Sequence, residues 1–366
     1  YRWIITSSNY GSINLHNGNR RHIQERRQQN DALVGHTHNS SKRVIYAWDT
    51  SKVPLKYYQQ NLTDFTGCEY SNCVLEYSDY PDDASYADVV IVDYQSERNL
   101  DMLNSFTTRY ASPSKFSTVW LLQGHESPAY SYNKWRDLFN TFDGAITYTR
   151  DSLVYRPYGK VYPLTGKSRK HAVYPSNKTK GAFAYVSNCE PIGYDRLGLM
   201  KELSKYIDVD IFGSCTGNIP CQMGDWSCEQ KLHNQYRFYL SWENSLCKDY
   251  MTEKFWKPLH GDRYHIPVAL GGLTIKEYTD VAPPNSFLHV YNFSSIEELG
   301  SYMRNLVSDP VALNRYHEWR NSHAVELGEK SPCKLCEIAN FPAKFKSKRT
   351  NIANKFNSPS TCRTYA

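Results

Sequence analysis

The sequence predicts an α/β protein made of two doubly wound parallel sheets that face each other across a cleft. Three observations carry this prediction. Short apolar runs recur along the chain, each bounded by polar or turn-forming residues, as expected of buried strands. Polar stretches of helical length lie between them, the alternation that a parallel sheet requires. A segment rich in Pro, Gly, Lys and Ser, Arg156–Lys180, divides the series in two. The length of 366 residues suits two domains of roughly 150 residues better than one small core.

Residues 1–42 are polar, with basic clusters at Arg20–Arg21 and Arg26–Arg27, and read as a stem or linker. Residues 43–165 form the first domain. Its strands are Val44–Trp48, Ala87–Val92 ending in Asp93, Ser117–Leu122 and Ala145–Tyr148, with helices over Glu97–Tyr110 and Lys134–Phe142. Residues 166–345 form the second domain. It starts with a strand over Gly181–Ser187, a helix over Tyr194–Tyr206 and strands over Val209–Gly213 and Tyr236–Ser241. A helix over Asp249–Leu259 closed by Pro258, a strand over Ile266–Leu270 and a helix over Ser294–Val307 complete it. Residues 346–366 are a tail. No internal repeat is present. Ligands of such sheets bind beyond the carboxyl ends of the strands, so the cleft is the expected site.

Composition narrows the function. Lys plus Arg number 43 against 37 Asp plus Glu, a net +6. That mild excess suits a phosphate-bearing small ligand and gives no reason to expect a nucleic-acid partner. The 30 Tyr and 8 Trp suit a ligand with polar edges and apolar faces, such as a sugar, although most will simply fill core and surface. No apolar run approaches the ~18 residues of a membrane span.

The ten cysteines are many for a reducing compartment. One CxxC, Cys333–Cys336, has no second pair to complete a four-cysteine zinc site. Four N-x-S/T sequons, at Asn39, Asn61, Asn177 and Asn292, also point to the secretory pathway. The sequence begins at Tyr1 without an initiator Met, so the expectation is a targeting or anchoring segment before it.

Three stretches carry candidate chemistry. In Tyr236–Lys254 a strand delivers Glu243, Asn244 and Ser245, and Asp249 reads as the N-cap of a helix. Tyr250, Glu253 and Lys254 would then share one side of its first turn. The free N–H groups of that turn and the Lys254 charge favour an anionic phosphate. In Leu121–Tyr130 a strand ends at Gly124 and presents His125 and Glu126, either of which could be a general base. In Ala184–Arg196 a strand ends in Ser187 and Asn188, and Arg196 could clamp a phosphate. Each has a plainer reading: a capped helix, a polar turn, a surface ion pair. No P-loop or dinucleotide fingerprint is present, and Asp208-Val209-Asp210 sits at a strand start, a poor setting for a Mg²⁺ pair.

At these residues the chain resembles the α1,3-fucosyltransferases of glycosyltransferase family ten, from about Arg43 to Ile338. The run FYLSWENS…DYMTEKFW, then IPVALG and PPNSFLHV, is similar to the family's donor-domain signature, and HESP to its acceptor-domain element. TYTRDS…RPYG and VSNC…R match in order and spacing. The resemblance implies a GT-B fold, two facing Rossmann-like domains, with the acceptor bound by the first and GDP-fucose by the second. It places Glu126 on the catalytic base, and Asn244, Tyr250, Glu253, Lys254, Arg196, Tyr158 and Ser187 on donor-binding positions.

The implied reaction is an inverting transfer of L-fucose from GDP-β-L-fucose to the 3-hydroxyl of GlcNAc on N-glycans of glycoproteins, core or antennal. No cofactor is required, with Mn²⁺ as an optional stimulant, and the only membrane link is an N-terminal anchor outside this sequence. Two rivals remain open on the sequence alone: a GT-B transferase using a UDP or CMP sugar, and an inactive glycan-binding protein of the secretory pathway. Spacing does not fix disulfide connectivity. The working expectation joins Cys68 and Cys73 to Cys333 and Cys336, and Cys189 to Cys247.

Overall fold

Period-two alternation sorts the apolar residues of the first strands onto two faces of one sheet. The computed structural model describes residues 42–48, 64–78, 84, 87–94, 97–110, 117–130, 138, 141–165, 175, 178–222, 225–328, 331–346 and 361–365. The first sheet comprises β1 (Arg43–Trp48), β2 (Cys73–Ser78), β3 (Val89–Asp93), β4 (Val119–Gln123), β5 (Gly144–Thr147) and β6 (Val154–Tyr155), with helix α1 (Glu97–Tyr110) between β3 and β4. The strands are all parallel, in the order β2-β1-β3-β4-β5-β6. Val90, Val92, Trp120 and Leu122 face α1 through Leu103 and Phe106. Val89, Ile91, Val119 and Leu121 face the other way.

The second sheet comes after β7 (Gly159–Pro163). Its strands are β8 (Lys180–Tyr185), β9 (Val209–Phe212), β10 (Tyr236–Trp242), β12 (Ile266–Leu270) and β13 (Leu288–His289), parallel and in the order β13-β12-β10-β8-β9. The short β11 (Leu246–Cys247) lies outside it. Helices α2 (Arg196–Leu203), α3 (Trp226–His233), α4 (Glu253–Leu259), α5 (Ile275–Val281), α6 (Ile296–Val307) and α7 (Pro310–Arg315) surround this sheet. Both sheets share one winding, the second strand outside the first and the third on its other side. The order reverses between β1 and β3 and again between β8 and β10, and ligands bind at such reversals.

The chain then crosses back. β14 (His323–Leu327) pairs antiparallel with β7, so part of the Arg156–Lys180 segment read as the domain divide is a strand. Helices α8 (Cys333–Asn340) and α9 (Pro342–Lys346) come next, and Leu335, Ile338 and Phe345 cover the open face of the first sheet. The boundary drawn at 345 therefore needs amendment: residues 333–346 belong with the first sheet. Cys68–Cys333 and Cys73–Cys336 staple α8 there, as expected.

The expected Cys189–Cys247 bond does not form. Cys189 pairs with Cys215 and Cys247 with Cys362, while Cys221 pairs with Cys228. Cys189 and Cys215 flank the neighbouring exits of β8 and β9, whereas Cys247 meets β15 (Cys362–Arg363) of the tail. The helix expected over Lys134–Phe142 falls mostly outside the described residues. Residues 1–41 and the sequons at Asn39, Asn61 and Asn177 lie outside them too. Asn292 is exposed at the end of a short turn, Val290–Asn292.

Candidate active site

Glu126 lies just past β4, on a turn built by a close approach of backbone to ring. A Cβ at Gly124 would sit 1.5 Å from the Tyr94 ring, so only glycine lets that ring pass. Tyr94 thereby donates its hydroxyl to the Glu126 carbonyl at 2.6 Å. The Glu126 carboxylate crosses to the second lobe. Its Oε1 accepts from Tyr250 Oη at 2.5 Å, Asn244 Nδ2 at 3.1 Å and the Ser127 amide at 2.9 Å. Burial raises the Tyr250 hydroxyl's pKa well above its ordinary value, with Glu126 adding to the shift, so the phenol stays protonated and donates. Ser245 Oγ donates to Ser127 Oγ at 2.6 Å, a second bond between the same loops. With Oε1 so anchored, Oε2 accepts no hydrogen bond among the described residues and is the oxygen left for a ligand.

His125 makes the poorer candidate base. Burial, then the charge of Arg156, lowers its pKa to about 3 and so weakens its hold on a proton. Its carbonyl accepts from Tyr158 Oη instead. Tyr158, Tyr148 and Tyr250 pack edge-on and tilted, with centroids 5.1 to 6.5 Å apart.

On the second lobe, Arg196 opens α2 and stands at the order reversal. It donates to Trp242 O at the end of β10 at 3.1 Å and to Asn188 O beyond β8 at 2.9 Å. A guanidinium has five N–H donors, so these two bonds fix its place and leave others for an anion. Ser187 is on the rim of this region, exposed, with its carbonyl accepting from Ser214 Oγ at 3.1 Å.

The start of the next helix differs from expectation. Asp249 does not cap it. Asp249 adopts φ +57° and turns its carboxylate to Arg150, accepting from the Arg150 amide at 3.2 Å and lying 3.3 Å from Nε. The cap is Thr252, so α4 begins at Glu253 and Tyr250 precedes it. The amides expected to be free for a phosphate are partly taken. Glu243 accepts from Thr252 N and Thr252 Oγ1, both at 2.7 Å, and Thr252 Oγ1 accepts from Lys254 N at 3.3 Å. Charge rather than helix geometry is therefore what this turn offers an anion.

Lys254 Nζ lies 3.1 Å from Glu253 Oε1 and 3.8 Å from the fully buried Glu243. Burial drives the Glu243 carboxyl up to about 7 against the pull of Lys254. Burial also pushes Glu253 upward, but Lys254 and Lys257 overcome it and hold it at about 2.

The structure thus brings Glu126, Asn244, Tyr250 and Tyr158 into one contact set, with Lys254, Glu253 and Arg196 along the adjoining edge. Glu243 had no role on sequence grounds beyond standing next to Asn244. Tyr94 and Tyr148 were not assigned to the site; the only signal of Tyr94 was an aromatic residue directly after a strand, and that of Tyr148 its place in the TYTRDS run. Asp210 accepts from Tyr236 Oη at 2.5 Å and from Lys180 at 3.1 Å, a structural use of the D-x-D pair. Among the described residues no group of three or more His, Cys, Asp or Glu could hold a metal ion, and no helix is long and apolar enough to cross a membrane.

Buried and half-buried imidazoles give the fold an acid limit. Burial holds His125 near 3 and His233 and His289 near 4, and pushes His265 and His317 well below the usual 6.5. The unfolded chain binds these protons below about pH 6.5 while the folded chain refuses them. Their contribution is thus complete above pH 6.5 and lost as the pH falls. Glu243 opposes the trend between its unfolded value and 7, but it is one group against five. Urea unfolding from pH 7.5 to 5 should show the midpoint dropping below pH 6.5; a flat profile would contradict this account.

Two parallel sheets of one winding, joined where their strands end, define the class: a GT-B fold. Solved structures share it. A crystal structure of an α1,3-fucosyltransferase with GDP-fucose matches with TM-score 0.54 at 16% identity, covering 86% of this chain and 93% of that one. One with GDP matches at 0.51 and 15% identity, covering 86% and 94%.

The chain belongs to glycosyltransferase family 10. Its residues 40–159 match the model described as "Fucosyltransferase, N-terminal", and residues 175–355 the one described as "Glycosyltransferase family 10 (fucosyltransferase) C-term". Similar relatives include the α-(1,3)-fucosyltransferase fut-1 of Caenorhabditis elegans, 30% identical over 313 residues, 81% of this chain and 65% of that protein. Another is the glycoprotein 3-α-L-fucosyltransferase A of Drosophila melanogaster, 34% identical over 259 residues, 69% and 50%. The chain spans from 50% to 65% of the length of these relatives.

Proposed function

We propose that the protein transfers L-fucose from GDP-β-L-fucose to the 3-hydroxyl of GlcNAc on an N-glycan, with inversion. The observation that carries this reading is the Glu126 carboxylate, held on one oxygen by the opposite lobe and open on the other. The names of its relatives and structural neighbours support the donor and the linkage. Oε2 takes the proton of the acceptor O3–H while O3 attacks C1 from the face opposite GDP. The bond from C1 to the β-phosphate oxygen breaks, GDP leaves with the electron pair, and β becomes α. Arg196 and Lys254 offset the negative charge growing on the diphosphate. One base and a leaving diphosphate need no covalent intermediate. Core or antennal GlcNAc is the acceptor class.

In this proposal no metal is required, Mn²⁺ acts only as a stimulant, and activity persists in EDTA. A secretory setting is supported by the five disulfides and the exposed Asn292 sequon, and the setting we propose for the full protein is the Golgi lumen, behind an N-terminal anchor. The test is a donor competition and a linkage analysis. GDP should inhibit where UDP does not, and the product should be an α-fucoside on O3. Inhibition by UDP alone, transfer to another hydroxyl, or a β-linked product would refute the reading.

A further inference from the structure

The last described residues of the chain lie against the same strand ends that build the site. Cys362 is disulfide-bonded to Cys247, and β15 pairs antiparallel with β11, with Leu246 opposite Arg363. The Lys248 amide donates to Thr361 O at 2.7 Å. Arg363 reaches Gly271 O and Leu273 O, just beyond β12, at 3.4 Å each. Tyr365 stacks on Tyr194 and Tyr291, with centroids at 6.0 and 5.8 Å, and its amide donates to Gly193 O at 3.0 Å. These contacts fall on the exits of β10, β12 and β13 and on the entry to α2, the ligand edge of a parallel sheet.

The loop 244–250 is thereby clamped. On one side a Cβ at Gly272 would lie 2.1 Å from the Cys247 carbonyl oxygen, so the exit of β12 packs directly against the loop backbone. On the other side are the disulfide and β15. This is the loop that sends Asn244, Ser245 and Tyr250 to Glu126 and Ser127. We propose that residues 361–365 are a positioning strap, and that the Cys247–Cys362 bond holds the loop where Asn244 and Tyr250 fix the Glu126 carboxylate. The effect on rate rests on Glu126 being the base proposed above. The effect on loop order does not.

Cys362→Ser leaves Cys247 as a buried thiol and opens only this staple. It should lower kcat about 10- to 100-fold, the scale of an ångström-level misplacement of a reacting group. KM for GDP-fucose should change less than kcat, because Lys254 and Arg196, the charges offered to the diphosphate, lie outside the loop 244–250. Amide hydrogen exchange should rise at 244–252 and stay unchanged in the strands of the first sheet. Arg363→Gln, which keeps the disulfide but weakens the carbonyl contacts, should move both readouts the same way by less. Opening the remote Cys221–Cys228 bond, which joins residues only 7 apart, should leave kcat unchanged. Cys362→Ser protein with wild-type kcat and unchanged exchange at 244–252 would overturn the strap, as would exchange rising equally across both sheets. An inactive wild type would instead overturn the proposed reaction, and the exchange pattern would still decide the strap.

Discussion

Glu126→Gln should abolish transfer while leaving GDP affinity unchanged. The amide keeps the size of the carboxylate, and its one oxygen can still accept from Asn244, Tyr250 and the Ser127 amide. It cannot take a proton from an incoming hydroxyl. A positioned base contributes roughly 10²- to 10⁴-fold, so kcat should fall by about that factor. The diphosphate side of the cleft is built from other residues, so calorimetry should return a wild-type dissociation constant for GDP. A glutamine enzyme turning over at an ordinary rate would remove the base assignment.

Lys254→Ala should cost about 10²- to 10³-fold in kcat/KM, the typical loss when a charge-stabilising group is removed from a developing anion. The loss should appear as weaker use of the donor: a lower kcat, because the charge grows in the transition state, and a raised KM for GDP-fucose with poorer GDP inhibition. The ammonium is partly neutralised by Glu253 at 3.1 Å in the free enzyme, so its position is fixed before any ligand arrives. Alanine is a good helix former, so α4 should persist. Lys254→Arg should recover part of the loss by keeping the charge. A lysine-less enzyme with an unchanged donor KM would place the diphosphate elsewhere.

Much of this site was legible in the sequence because strands of a buried parallel sheet announce themselves. Val89–Asp93 and Ile266–Leu270 are apolar on both faces, and the residues just past such strand ends fall at the ligand edge. Glu126 and Asn244 could be placed that way, and Arg196 by its position at the start of the following helix. The features that escaped depended on contacts far apart in the chain. Asp249 has the look of an N-cap, but Arg150 takes its carboxylate, which moves the helix start to Thr252. Glu243 resembles a solvated neighbour of Asn244, yet it is fully buried and supplies the bonds that Asp249 was expected to supply. Cys247 found its partner 115 residues away, in a tail with no apolar pattern to mark it as docked.

A crystal of the protein with GDP and an acceptor N-glycan is the most direct test of the two-lobed account. It should show the diphosphate within hydrogen-bond reach of Lys254 and Arg196, and the 3-hydroxyl of one GlcNAc against Glu126 Oε2 with Tyr250 still on Oε1. A nucleotide bound away from Lys254, or a glycan whose nearest hydroxyl never approaches Glu126, would contradict it.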